Sequence, residues 1–193
     1  MLHGCGGFDT FDHRLADTLP RDGISTLYVD YFATTPPPGS KGWCSGWHRR
    51  SPSVNHANVF SRWTGVVVRA VEDLDRTAGI ASARVGLVGW SLGGGLAVGV
   101  AERDQAVHAV AAFSTGLHGG APTRVRRMPP LLLLSGGKTD AIPLAWTLVL
   151  YHAARIAGTE VSLYVYPRGS HSWPGREGSA GIAAAARFFR SVL

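Results

Sequence analysis

The chain has 193 residues, 45% hydrophobic and 17% charged, with a net charge of +6. That length suits one domain around one core, and the apolar share excludes a disordered, collagen-like or coiled-coil chain. The basic residues are scattered, with small groups at 48–50 and at Arg124, Arg126 and Arg127 and no nucleic-acid motif beside them, so no nucleic-acid partner is expected.

Met1 and Leu2 lead straight into a loop-like run, His3-Gly4-Cys5-Gly6-Gly7. Leu15, Ala16 and Leu19 at helical spacing predict a helix over residues 8–19. Residues 25–32 read as a strand, and Pro36-Pro37-Pro38 stiffens the loop after it. That irregular connection runs to residue 50 and carries Trp43 and Trp47, and long loops of this kind are often functional. A helix over 54–78 shows an apolar stripe at Val66, Val67, Ala70, Val71 and Leu74. Then follow strands at 84–89, 107–113, 130–135 and 160–166, and helices at 92–104, 142–157 and 181–193.

The strands are mostly continuous apolar runs, which suits burial on both faces of a parallel sheet. Strand and helix alternate, so the expected class is α/β: a mostly parallel central sheet with helices on both faces, in one domain over 1–193. The uncharged run 85–101 contains six glycines and a serine. It reads as strand, tight turn and helix rather than a membrane span, which needs about 20 mostly apolar residues. No basic segment followed by an apolar stretch opens the chain, so neither a signal peptide nor a membrane partner is expected. Two cysteines, Cys5 and Cys44, cannot build a disulfide framework and fit a reducing, cytoplasmic setting. Neither has a zinc-ligand spacing, so no metal and no cofactor is expected.

The most informative stretch is Gly89-Trp90-Ser91-Leu92-Gly93, a Gly-x-Ser-x-Gly pentapeptide between a buried strand and a small-residue helix. In that context the turn lifts the serine hydroxyl clear of the sheet, and the glycines leave room for crowded backbone. A serine nucleophile needs a base, and the base needs an orienting carboxylate. Asp140 lies 49 residues after Ser91, in a loop beyond a strand end, where functional groups of open α/β sheets collect. His171 lies 31 residues further on, again just past a strand. The chain order Ser, Asp, His is that of an α/β-hydrolase triad.

These stretches resemble the dienelactone hydrolase family of the α/β-hydrolase superfamily. The resemblance rests on residues 3–7, 27–32, 89–94, 137–143 and 166–171. It implies Ser91, Asp140 and His171 as triad and the backbone N–H groups of Cys5 and Leu92 as oxyanion hole. Archetypal members carry Cys as nucleophile and a carboxylate in the oxyanion loop, where this chain has Ser91 and Gly4. Both departures point to a serine hydrolase that cleaves a small-molecule carboxylic ester or lactone through an acyl-enzyme, rather than to dienelactone itself. Trp43, Trp47, Trp90 and Trp173 are candidate walls of a substrate pocket, with plain core packing as the alternative role. The readings carried beside this one are a serine peptidase or acyltransferase on the same scaffold, and an inactive fragment or non-catalytic binding protein. A homodimer is the one assembly considered. In this family further strands precede the His-Gly loop, so the natural chain is expected to begin about 40 residues earlier.

Overall fold

The computed structural model describes residues 1–34, 56–77, 84–117, 125–137 and 140–193. Four parallel strands form its sheet in the order β1 (Val85–Trp90), β2 (Val107–Phe113), β3 (Leu131–Gly136), β4 (Val161–Tyr166). Helices α1 (Thr10–Thr18), α2 (His56–Asp75), α3 (Leu92–Ala101), α4 (Leu144–Ile156) and α5 (Gly175–Val192) complete the set, with one turn of 3₁₀ helix at Leu19–Asp22. These match the five expected helices and the last four of the five expected strands, with ends displaced by up to six residues.

The strand sequences sort their side chains by alternation. Leu87, Val110, Ala112, Leu131 and Leu133 enter one apolar cluster with Trp63, Val67 and Val71 of α2, Leu96 of α3 and Leu150 of α4. Val88, Ala109, Ala111, Phe113, Leu132 and Leu134 enter the other, with Phe11 and Leu15 of α1 and Ile182, Ala185 and Phe189 of α5. Both faces are covered, so both sets of alternating positions are apolar, and β1 to β3 read as unbroken hydrophobic runs. The outer strand β4 differs, with Tyr164 and Val165 exposed.

Two expectations are corrected. The strand predicted over residues 25–32 shrinks to a single bridge, Val29 to Leu2, and Leu2 bridges in turn to Gly89. The Leu2 N–H donates to the Val88 carbonyl at 2.8 Å, Trp90 N–H donates to Leu2 at 3.3 Å, and Val29 N–H donates to Met1 at 3.1 Å. Leu2 thus occupies the place of a strand beside β1, fully buried, and the backbone groups of Val88 and Trp90 that face it are paired. The last helix starts at Gly175, six residues before the expected 181. The packing requires one of the glycines in that earlier turn. A Cβ on Gly178 would collide with the Trp173 carbonyl, so only glycine lets α5 lie this close to that residue.

Helix α1 begins in a reciprocal cap. The Asp9 carboxylate accepts from Phe11 and Asp12 N–H at 2.8 and 3.3 Å, and the Asp12 carboxylate accepts from Asp9 N–H at 3.1 Å. Asp12 is buried, and burial pushes its carboxyl up to about 7 despite that hydrogen bond, with the Asp9 charge adding to the rise.

The native chain therefore keeps a proton on Asp12 that the unfolded chain has released, and this group's contribution to stability falls as pH rises from about 4 to about 7. Asp12→Asn retains an acceptor for the cap and removes the titration. The stability of this variant relative to wild type is expected to climb between about pH 4 and pH 7, with a ceiling of about 4 kcal/mol at 1.36 kcal/mol per pK unit, read as a rising relative melting temperature. A constant difference between the two proteins across that range would exclude this account.

Candidate active site

Ser91 follows the last residue of β1 and precedes the first of α3, with φ 55° and ψ −115°. Side chains with a Cβ seldom adopt this region, and its occurrence at a strand-to-helix turn is the strained elbow that the pentapeptide predicts. The two glycines do what spacing alone suggested. A Cβ on Gly89 would collide with the Gly93 carbonyl, and a Cβ on Gly93 would collide with the Leu2 carbonyl. The second contact brings the 3–7 loop against the start of α3. Leu92, first residue of α3, has an N–H that no turn of the helix can satisfy, and Cys5 lies in the tight Gly4–Gly7 turn of the 3–7 loop.

His171 bridges the serine and the aspartate. Its Nε2 accepts from the Ser91 hydroxyl at 3.0 Å, and its Nδ1–H donates to Asp140 Oδ1 at 2.8 Å. The Asp140 side chain has no exposed surface, whereas His171 keeps 28% of its side-chain area open to solvent. Asp140 Oδ1 also accepts from Ile142 N–H at 3.0 Å, and Oδ2 accepts from Gly136 N–H at 3.0 Å and the Ser114 hydroxyl at 2.5 Å. Burial works to raise this carboxyl. The donated hydrogen bonds from His171, Ser114 and Ile142 outweigh it and hold the group below the ordinary carboxylate range. Asp140 is thus kept as an anion at a position that would otherwise neutralise it.

The loop bearing His171 is tied down twice. Gly137 N–H donates to the Gly169 carbonyl at 3.0 Å, which fastens the loop after β3 to the loop after β4. The Trp90 indole N–H donates to the His171 carbonyl at 2.7 Å. The same indole covers Gly4, where a Cβ would overlap the ring. Trp90 therefore links the nucleophile strand, the 3–7 loop and the histidine loop. His3 anchors that loop from below: buried, stacked on Tyr31 with ring centroids 4.1 Å apart, and donating from Nδ1 to the Gly4 carbonyl at 2.7 Å. The Tyr31 hydroxyl donates to the His3 carbonyl at 2.5 Å. Burial pushes the His3 imidazole down, against the pull of Gly4 and of the Asp30 carboxylate 3.5 Å from Nε2. Nε2 itself makes no hydrogen bond.

Ser91, Asp140 and His171 are brought together as the chain order implied. The candidate pocket walls are not. Trp173 is fully buried among Phe11, Phe113 and Tyr166, so it lines no open pocket. Trp90 spends nearly all its surface on the packing just described. Trp43 lies outside the described residues, as do Trp47 and nearly all of the long loop. Cys5 is disulfide-bonded rather than a free thiol, and Cys44 lies outside the described residues. Sequence reasoning missed Ser114, which follows the last residue of β2. The strand-end rule that selected Asp140 and His171 would have selected it too. Among the described residues no group of three or more His, Cys, Asp or Glu could hold a metal ion. No helix among them is long and apolar enough to cross a membrane.

Comparison with known proteins agrees with this architecture. The sequence profile of the dienelactone hydrolase family matches residues 54–192. A dienelactone hydrolase from Anabaena variabilis superposes with a TM-score of 0.73 at 24% identity, covering 100% of this chain and 84% of that one. Esterase PE8 superposes with a TM-score of 0.59 at 23% identity, over 70% of this chain and 63% of that one. An acylaminoacyl peptidase from Pyrococcus horikoshii gives 0.56 at 16% identity, over 68% of this chain and 28% of that one. At these identities the likeness to solved structures is one of fold. No curated protein matches.

The crowding at the elbow has a measurable cost. Gly89→Ala places a methyl group against the Gly93 backbone, which cannot swing aside as a side chain would. It is expected to destabilise the fold by about 1–3 kcal/mol, read as a lower urea midpoint. Gly6→Ala, where a Cβ meets nothing within 4 Å, serves as the tolerant control. Equal midpoints for the two variants would contradict the crowding.

Proposed function

This chain belongs to the dienelactone hydrolase family, and on that premise we propose that it is a serine hydrolase of carboxylic ester or lactone bonds. The observation that carries the reading is the unbroken string Ser91–His171–Asp140 at 3.0 and 2.8 Å, ending on a buried carboxylate with four donors. Nucleophilic catalysis by a serine needs such a string.

The mechanism follows from which atom holds each proton. Ser91 Oγ attacks the substrate carbonyl carbon as its proton passes to His171 Nε2. The imidazolium so formed keeps its Nδ1–H on Asp140, which stabilises the charge without taking the proton. The tetrahedral oxyanion is met by the N–H groups of Leu92 and Cys5, and such donors typically matter by about 3 kcal/mol each. His171 then returns the proton to the leaving alcohol oxygen, leaving an acyl group on Ser91. A water gives its proton to His171 and attacks the acyl carbon; the bond to Ser91 Oγ then breaks, His171 returns the proton to Oγ, and the acid leaves. A small-molecule ester or lactone fits this sequence, and the leaving group of a lactone stays attached to the acyl-enzyme.

Ser91→Ala is expected to lower hydrolysis of a short p-nitrophenyl ester by at least about a thousandfold, in line with loss of a triad nucleophile. A fluorophosphonate probe should modify wild-type protein at Ser91 and nowhere else, as mapped by mass spectrometry. Wild-type turnover in Ser91→Ala, or an adduct on another residue, would overturn the assignment. A panel of matched esters and amides then tells esterase from peptidase.

A further inference from the structure

We infer that Ser114 and Trp173 are positioning residues that extend the Ser91–His171–Asp140 string by two members. This rests on the hydrolase reading above and adds to it two side chains that touch neither substrate nor nucleophile.

The string can be followed atom by atom. The Trp173 indole N–H donates to Ser114 Oγ at 2.7 Å, and the Ser114 hydroxyl donates to Asp140 Oδ2 at 2.5 Å. An indole nitrogen can only donate. It therefore occupies a lone pair of Ser114 and leaves the single hydroxyl proton to face the carboxylate. Ser114 is itself held by its N–H, which donates to the Leu134 carbonyl at 2.8 Å. Asp140 then receives two donors on each oxygen: Ile142 and His171 on Oδ1, Gly136 and Ser114 on Oδ2. A carboxylate so bound cannot rotate, and its Oδ1 stays aimed at His171.

Backbone geometry is the second, independent observation. Among the described residues three non-glycine side chains have positive φ: Ser91 at 55°, Ser114 at 44° and Trp173 at 50°. All three are members of this one string. Strain of this kind persists only where the surroundings enforce it, and it gathers at functional sites. Trp173 also fills core space against Phe113 and Tyr166. A phenylalanine would do that as well; only the indole N–H accounts for the contact with Ser114.

Ser114→Ala and Trp173→Phe test the assignment. Ser114→Ala should lower kcat by about ten- to a hundredfold, the fold-change of a lost hydrogen bond to a charged group, and Trp173→Phe by about two- to tenfold, that of a neutral one, with KM little changed in both. Removal of the Ser114 donor leaves Asp140 more basic, so the Asp140–His171 pair takes up a proton more readily. Among the described residues His171 is the titratable group that bears on Asp140. The acid limb of kcat/KM should therefore move to higher pH in Ser114→Ala, a shift that mere loosening of the core would not produce. Ser114→Gly provides a second route if the alanine variant folds poorly, because glycine accepts the positive φ without strain. Wild-type protein that turns over ester and labels at Ser91 establishes the underlying reading first; absence of both sinks that reading rather than this one. With an active wild type, a folded Ser114 variant with unchanged kcat and an unmoved acid limb overturns the inference. Failure of both Ser114 variants to fold overturns it also, since the role is then structural.

Discussion

Asp140 carries a negative charge on a side chain with no exposed surface. A buried carboxylate has about four acceptor sites, and each left empty would cost free energy. The chain fills all four, and the donors come from separate places. Gly136 ends β3, Ser114 follows β2, Ile142 precedes α4, and His171 lies beyond β4. Through His171 the demand reaches Ser91 at the end of β1. One side chain thus collects the carboxyl ends of all four strands. The positions of the catalytic atoms and the satisfaction of a buried charge are two descriptions of the same set of hydrogen bonds.

The second requirement is space. Gly89, Gly93 and Gly4 are sites where a methyl group would strike, respectively, the Gly93 carbonyl, the Leu2 carbonyl and the Trp90 ring. The glycines allow three segments to meet: the elbow, the 3–7 loop and the indole that reaches over to hold His171. In the related enzymes invoked by the sequence resemblance the oxyanion loop carries a carboxylate. Here the space beside Gly4 is already occupied by Trp90, so a side chain at position 4 and an indole at position 90 exclude each other in this packing.

Much of this was legible in the sequence, for reasons that can be named. β2 was placed to the residue because an apolar run between polar turns leaves its ends no latitude. Ser91, Asp140 and His171 were legible because the chemistry fixes their types and the fold fixes their order. Three things were not. The 25–32 segment has the composition of a strand, but composition cannot tell that its pairing amounts to one bridge with Leu2. Trp173 fits a pocket wall or the core equally well in the sequence; what decides for the core is its packing on Phe11 and Phe113, far away in the chain. The early turn of α5 lay outside the predicted helix: glycine has low local helix propensity, while the need for Gly178 arises from a carbonyl it must pass.

The order of these residues along the chain also bears on how the protein comes into being. Ser91 and its strained elbow leave the ribosome about 80 residues ahead of His171, and Leu2 long before either. The early segments can pair among themselves, since Leu2, Val29 and Gly89 all precede the middle of the chain. No base stands beside the serine until β4 has added to β3 and Trp173 has closed over Phe113. On the proposed reading, the serine gains its base only when the segment from β4 to α5 has joined the sheet.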